Sequence, residues 1–484
     1  MSSYRETIKP VRNRMRKFDY HSVLLAISQY LLETDARGAE RAKRLPWVAE
    51  RLAAWVLRDE PRLYGHTPMQ QGDLLKCMNM AWVGIDALAG WPKNHNPLAL
   101  LVRKILLAQV PHQQDRRMGA FARQIALLGR LQPNSRLRRV IERTVGLPPE
   151  VYLQLAFLPW LKATEGIHDV FTPPYLNTLA QAFGTEVLQT FLRTVTTPID
   201  VVRRELKDFD DDEWFQPNVL YRFPFVHSPR GLYFWGAPCL HRHIEYAFSD
   251  IVANAGDPAA KQAFEDAFED YVGVVLERTS AQVLDEQAIK RRFGVQGLCS
   301  DFMVIEDAAI VLFEVKNKSL SLDLPASASV KTLQAKLRGT LIKADGQLAN
   351  VAAHVRNAPE LAKLPLYRII VTYGDLMLGQ PDYLYGEAEG PAEPILILSV
   401  DELDSLVEAV RLKRCTMGQF FADFLARKSD PARVLFAPGQ LLTEAPYRLD
   451  RAPEHLAATY DAIVDPIIEK LSRLEALTGH VGAS

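Results

Sequence analysis

Ser300-Asp-Phe-Met-Val-Ile-Glu-Asp-Ala-Ala-Ile-Val-Leu-Phe-Glu-Val-Lys-Asn-Lys318 is the stretch on which the fold turns. Two apolar runs rich in β-branched residues, Phe302 to Ile305 and Ile310 to Phe313, flank the polar Glu306-Asp-Ala-Ala309. That pattern predicts two strands joined by a tight turn. With a four-residue loop Ile305 pairs with Ile310, and the register places Asp301 opposite Glu314. Side chains alternate across a strand, so Glu314 and Lys316 share a face and Asp301 joins them. Every residue between these polar positions and the turn is apolar on both faces, which predicts a central, covered hairpin. Two carboxylates and an ammonium at the end of such a hairpin are costly unless paired or bound to a cation.

These residue types point to one chemistry. Facing carboxylates repel, a divalent cation relieves the repulsion, and an all-oxygen donor set suits Mg2+ or Mn2+ better than zinc. The Val315 main-chain carbonyl, at the same sheet edge, can complete the coordination. A metal held by Asp301 and Glu314 can polarise a phosphate oxygen and lower the pKa of a bound water. Lys316 can position that water and stabilise the extra negative charge of the transition state. Hydrolysis of a phosphodiester needs this combination.

Asp301, twelve intervening residues and then Glu314-Val-Lys316, at the ends of two apolar strands, resemble the PD-(D/E)xK nuclease superfamily, the restriction-endonuclease-like fold. Upstream, Phe264-Glu-Asp-Ala-Phe-Glu-Asp-Tyr-Val272 is similar to the first helix of that superfamily, which often carries a metal-orienting glutamate. The match makes that glutamate Glu269, with Glu265 one turn earlier as the substitute. Downstream, Lys343 and Gln347 resemble the helical lysine and glutamine that support the site in some members. Ser300 stands where the superfamily's proline would be, a departure that many members share. The resemblance covers about 258 to 428. It implies an α/β protein: a mixed-sheet core flanked by helices and preceded by a mostly α-helical N-terminal region. It further implies a divalent-metal-dependent nuclease acting on nucleic acid, DNA first, of the kind that serves in restriction or antiviral defence. The catalytic set is then Glu269, Asp301, Glu314, Lys316 and Gln347, and the metal ligands are Asp301, Glu314, Val315 and Glu269. Lys318 and Lys343 would contact the nucleic acid. The alternative is a nucleic-acid-binding or assembly protein that keeps the fold without turnover.

The rest of the chain supplies the setting. At 484 residues it is long enough for two or three cores. Residues 1–215 have the three- and four-residue apolar spacing of helices, as in Trp47, Val48, Leu52, Trp55 and Val56. Turn-rich joints separate them at 92–97, Pro133-Asn134, Pro148-Pro149 and Pro173-Pro174. A connecting segment at 216–257 carries two extended pieces, Tyr221 to Val226 and Gly231 to Trp235, and a helix over 241–252. The nuclease-like part at 258–428 contains further buried strands at Tyr367 to Thr372 and Pro394 to Val400, with Ser399 and Glu402 as a capping box. A linker at Ser429-Asp-Pro431 leads to a C-terminal extension, 429–484. Its amphipathic helix carries Leu456, Tyr460, Ile463, Ile467 and Leu471 on one stripe.

Formal net charge is −1, so any attraction to nucleic acid has to be local. Ten Lys or Arg stand between Arg103 and Arg143, against Asp115 and Glu142. Such a surplus can track a phosphate backbone, with Arg116, Arg117, Arg136, Arg138 and Arg139 as contacts; a solvated face balanced by the acids at 208–213 is the plainer alternative. His241-Arg-His-Ile-Glu245 lacks a third ligand of fixed spacing and is better taken as a helix start than as a metal site. The four cysteines are scattered, with no C-x-x-C pair, which fits a reducing cytosol and excludes a disulfide framework. The basic N-terminus followed by His21 to Leu32 is an amphipathic helix, because Ser28 and Gln29 interrupt the apolar run and Glu33 and Asp35 follow it. These features predict a cytoplasmic protein with no membrane span, no nucleotide-driven motor of its own, and a nucleic acid as partner, joined by a second copy or a separate partner protein.

Overall fold

The hairpin forms in the expected register. Strands β5 (Phe302–Ile305) and β6 (Ile310–Lys316) pair antiparallel with Ile305 against Ile310 and Phe302 against Phe313. Met303, Val304, Ile310, Val311, Leu312 and Phe313 are fully buried, as two covered faces require. This computed structural model describes residues 4–33, 45–88, 119–164, 171–206, 219–319, 330–378, 396–430 and 436–479, with a few single residues between them. The joint at 92–97, Arg116, Arg117, the acidic run at 208–213 and Pro431 lie outside the described residues.

The protein is mixed α/β, with two mixed sheets. The larger has the order β4 (Gln282–Asp285), β5, β6, β7 (Leu366–Thr372) and β8 (Leu396–Ser399). Its first three strands are antiparallel neighbours and its last two run parallel to β6. A parallel step needs a long crossover. The helical stretch Val330–Leu337, Arg338–Ile342 and Lys343–Arg356 supplies it between β6 and β7. The smaller sheet joins β1 (Thr196–Pro198), β2 (Phe225–Ser228) and β3 (Gly231–Phe234). The first of the two expected extended pieces is corrected at its start, where Val219–Arg222 closes a 3-10 turn; β2 and β3 pair with each other, and β2 also pairs with β1, a strand too short to show alternation in the sequence.

Each face of the larger sheet is covered by different helices, and the alternation of β6 decides which residue meets which. Val311, Phe313 and Val315 pack against the helix Pro258–Leu276 through Phe264, Phe268, Tyr271 and Val272. Ile310 and Leu312 pack against Leu333, Leu337, Leu341, Leu348 and Val351 of the crossover. Glu314 and Lys316 alternate with the first set and so lie on the crossover side. The turn of the hairpin is pinned as well. Glu306 accepts hydrogen bonds from the Met417 and Gly418 amides at 2.8 Å each, capping the helix Met417–Lys428. Gly418 is needed at that crossing, since a Cβ there would stand 2.5 Å from the Cβ of Ala309.

The helical region divides in its packing. Helices Tyr4–Met15, Tyr20–Glu33, Pro46–Arg58 and Gln71–Leu88 form one core with Val226, Tyr233 and Trp235. Helices from Gly119–Gly129 to Thr185–Val195 share a second core with the helix Ala237–Asn254, the covered face of the larger sheet and the C-terminal helix Glu454–Gly479. At that junction Arg123 is buried against Asp404 (2.7 Å) and also pairs with Asp401. The Tyr271 hydroxyl donates to Asp404 at 2.9 Å, and His455 lies 3.3 Å from the same carboxylate. Burial raises the proton affinity of Asp404, but Arg123 and His455 outweigh it and hold the carboxyl below its usual range. The Ser399–Glu402 capping box is formed as expected. Among the described residues no helix is long and apolar enough to cross a membrane.

Candidate acidic site at the end of the hairpin

Asp301 precedes β5 by one residue, and its carboxylate accepts the Val315 amide hydrogen at 2.6 Å. The reason is local. The ladder between β5 and β6 ends at Phe302 and Phe313, so the next outward-pointing amide on that side of β6 has no strand partner. Asp301 takes its place. The N–H and C=O of one extended residue point to the same side, so the Val315 carbonyl is aimed at the edge where Asp301 stands. Lys316 behaves as the alternate residue should, its carbonyl accepting from the Tyr373 amide next to β7.

Glu314 is fully buried, and Lys316 donates to its Oε1 at 2.5 Å. Its second oxygen, Oε2, is buried with no hydrogen-bond partner. Leaving a buried carboxylate oxygen unsatisfied is costly, so such an atom needs an explanation. Burial first, and then the neighbouring Asp301 charge, push the Glu314 carboxyl up to about 8, against the pull of Lys316. Burial raises Asp301 too, opposed by its hydrogen bond from Val315 and by Lys316. Glu269, on the helix Pro258–Leu276, is pushed up to about 7 by burial and then by Asp301. The sheet edge is therefore acidic, with Lys316 as its compensating cation.

The structure treats the remaining expected residues differently. Among the described residues no three His, Cys, Asp or Glu side chains converge closely enough to hold an ion. Glu269 senses the Asp301 charge across the helix–strand junction. Gln347 is buried and spends its amide on the Cys299 carbonyl, 3.1 Å away, rather than on the carboxylates. Asn350 does the same for Leu298 at 2.9 Å. Both hydrogen bonds tie the crossover helix to the segment leading to Asp301. Lys343 is exposed one turn ahead of Gln347, and Lys318 is half-buried just beyond β6.

Sequence reasoning missed Glu286, whose charge acts on both Asp301 and Glu269. It follows Asp285, the N-cap of the helix Glu286–Phe293, and pairs with Lys290 at 2.5 Å. An acid in a first helical turn is ordinarily there for the helix dipole, so nothing in the sequence set it apart.

Part of the basic segment is spoken for. Arg136 pairs with Asp257 at 2.7 Å, and Arg138 with Glu150 at 2.6 Å and Glu142 at 3.2 Å. Arg103 and Arg123 are buried. Of the expected contacts that are described, Arg139 is exposed without an ion pair, while Arg116 and Arg117 lie outside the described residues. His243 is no metal ligand either. Its Nε2 accepts from the Tyr152 hydroxyl at 2.8 Å while Nδ1–H donates to the Tyr221 carbonyl at 3.1 Å, which occupies both ring nitrogens.

No family model, curated protein or solved structure matches this chain.

Proposed function

We propose that this protein is a divalent-metal-dependent nuclease whose restriction-endonuclease-like core hydrolyses phosphodiester bonds in nucleic acid, DNA first. One observation carries the reading: Glu314 Oε2 is a buried, unpartnered carboxylate oxygen at the edge that also holds Asp301 and the Val315 carbonyl. An oxygen-only donor set with one unsatisfied acceptor fits Mg2+ or Mn2+. Asp301, Glu314 and Val315 would hold the ion, which when bound supplies a Lewis acid for the phosphate and a more acidic water.

The chain's own residues do the rest. Lys316 lies on Glu314 at 2.5 Å, and beside an ion held there its ammonium would offset negative charge that builds up on the phosphate oxygens. Glu269, pushed up to about 7, is poised to take up or return a proton near neutral pH. Gln347 and Asn350 keep the 298–301 segment from relaxing away from β6. The test incubates the full-length protein with supercoiled, linear and single-stranded DNA and with RNA, in Mg2+, Mn2+ or EDTA. Cleavage that needs the cation and disappears in Glu314→Ala supports the reading. Tight binding without cleavage under every condition would instead favour an assembly or binding role.

A further inference from the structure

The crossover helix enters the site from an acid-free stretch. Residues 330–344 contain Lys331, Lys336, Arg338 and Lys343 and no Asp or Glu. All four side chains are exposed, and among the described residues none has an acidic partner. That sets them apart from Arg136, Arg138 and Lys290, which are each tied to a carboxylate.

The backbone here is unusual. Leu333, Leu337 and Leu341 are all buried and recur every four residues. On a helix of about 3.6 residues per turn such a repeat drifts off the core face. The helix widens into a π turn at Arg338–Ile342, which takes up the drift and returns Leu341 to the core. The cations are left on the solvent side, and Lys343 comes to stand one turn before Gln347, the residue bonded to Cys299. The basic run therefore ends beside the segment that carries Asp301.

At about 1.5 Å per residue, Lys331 and Lys343 are separated by roughly 18 Å along the helix, or about five nucleotide steps of one strand. Among the described side chains of 331–344 none is a large exposed apolar one, which leaves them without the apolar face with which a helix inserts into a lipid surface. Spaced cations with no apolar component match a repeating polyanion.

We propose that Lys331, Lys336 and Arg338, continued by Lys343, form a track for the phosphodiester backbone of a nucleic acid and lead it to the Asp301–Glu314 edge. The proposal rests on the nuclease reading for where the strand ends, though binding to the track does not require turnover.

The test measures affinity of the full chain for a 5′-labelled DNA duplex, a single DNA strand and an RNA duplex, in EDTA and across a salt series. Lys331→Glu/Lys336→Glu/Arg338→Glu should weaken the preferred polyanion at least tenfold. It should also flatten the salt dependence by roughly 0.9 log units per lost contact on duplex DNA, or roughly 0.7 on a single strand. The triple alanine variant, which keeps the helix with less charge change, should show a smaller loss in the same direction. Arg139→Glu/Arg143→Glu is the control surface and should change affinity much less. Unchanged affinity and slope in the triple reversal, loss confined to the control variant, or no binding of any polyanion by wild type would each overturn the track. Failure of the nuclease reading looks different: wild type would bind, and lose binding in the triple variant, yet would cleave nothing in either Mg2+ or Mn2+.

Discussion

Replacing Glu314 by glutamine in the metal-free protein removes a charge that the fold holds at a loss. The carboxyl is pushed up to about 8 by burial and by Asp301, from an ordinary value of 4.5. Below that ordinary value it is protonated in both folded and unfolded chains and costs nothing. As pH rises past it, the unfolded chain releases its proton while the folded one keeps it, so stability falls until the folded group also ionises. The penalty develops between about pH 4.5 and pH 8 and is constant above. At about 1.4 kcal/mol per pH unit the window corresponds to on the order of 5 kcal/mol. Glutamine escapes this penalty, and because the pull of Lys316 is already contained in the value of about 8, the pH-dependent gain is on the order of 5 kcal/mol at most. Thermal melts of wild type and Glu314→Gln in EDTA, at pH 5 and pH 8.5, read it directly. The variant should gain several degrees relative to wild type between the two pH values. Added Mg2+ should then raise the wild-type midpoint at pH 8.5 and leave that of the variant where it was. A difference between the two proteins that is the same at both pH values would refute the electrostatic account of this site.

Lys316→Ala should reduce cleavage by 100-fold or more, the loss of transition-state stabilisation on the order of 3 kcal/mol, and should lower the melting midpoint at pH 8.5, where ionised Glu314 loses its compensating cation; a wild-type rate would move the chemistry elsewhere. Because Glu314 must shed its proton before a cation can bind, Mn2+ affinity by calorimetry should tighten from pH 6 to pH 8 and release protons in the process. A pH-independent affinity would exclude Glu314 as a ligand. Asp404→Asn leaves the buried Arg123 guanidinium with only the half-exposed Asp401 as an acidic partner, so urea unfolding should show a loss of about 3 kcal/mol. Adding Arg123→Met should recover most of it, whereas additive losses would show that the two residues act separately.

The hairpin was legible in the sequence because its information is local. Strand alternation and a four-residue turn fix the register, and the register alone brings Asp301 to the edge that holds Glu314 and Lys316. The Ser399–Glu402 cap was legible for the same reason, being a contact between residues three apart. Composition was a poorer guide wherever a charge could find a distant partner. The ten cations from Arg103 to Arg143 look alike in the sequence, yet burial against Asp404 claims Arg123 and a helix cap's Asp257 claims Arg136. Neither acid is near in sequence. Gln347 likewise gave no sign in the sequence of its partner, because only the packing of the crossover on the sheet puts its amide on the Cys299 carbonyl. The unpartnered Glu314 oxygen, the acidic reach of Glu286 and the unpaired cations ahead of Lys343 all depend on which groups burial brings together. A linear chain specifies its hydrogen-bonding groups one by one, but whether each is satisfied is decided by neighbours that only the folded core supplies.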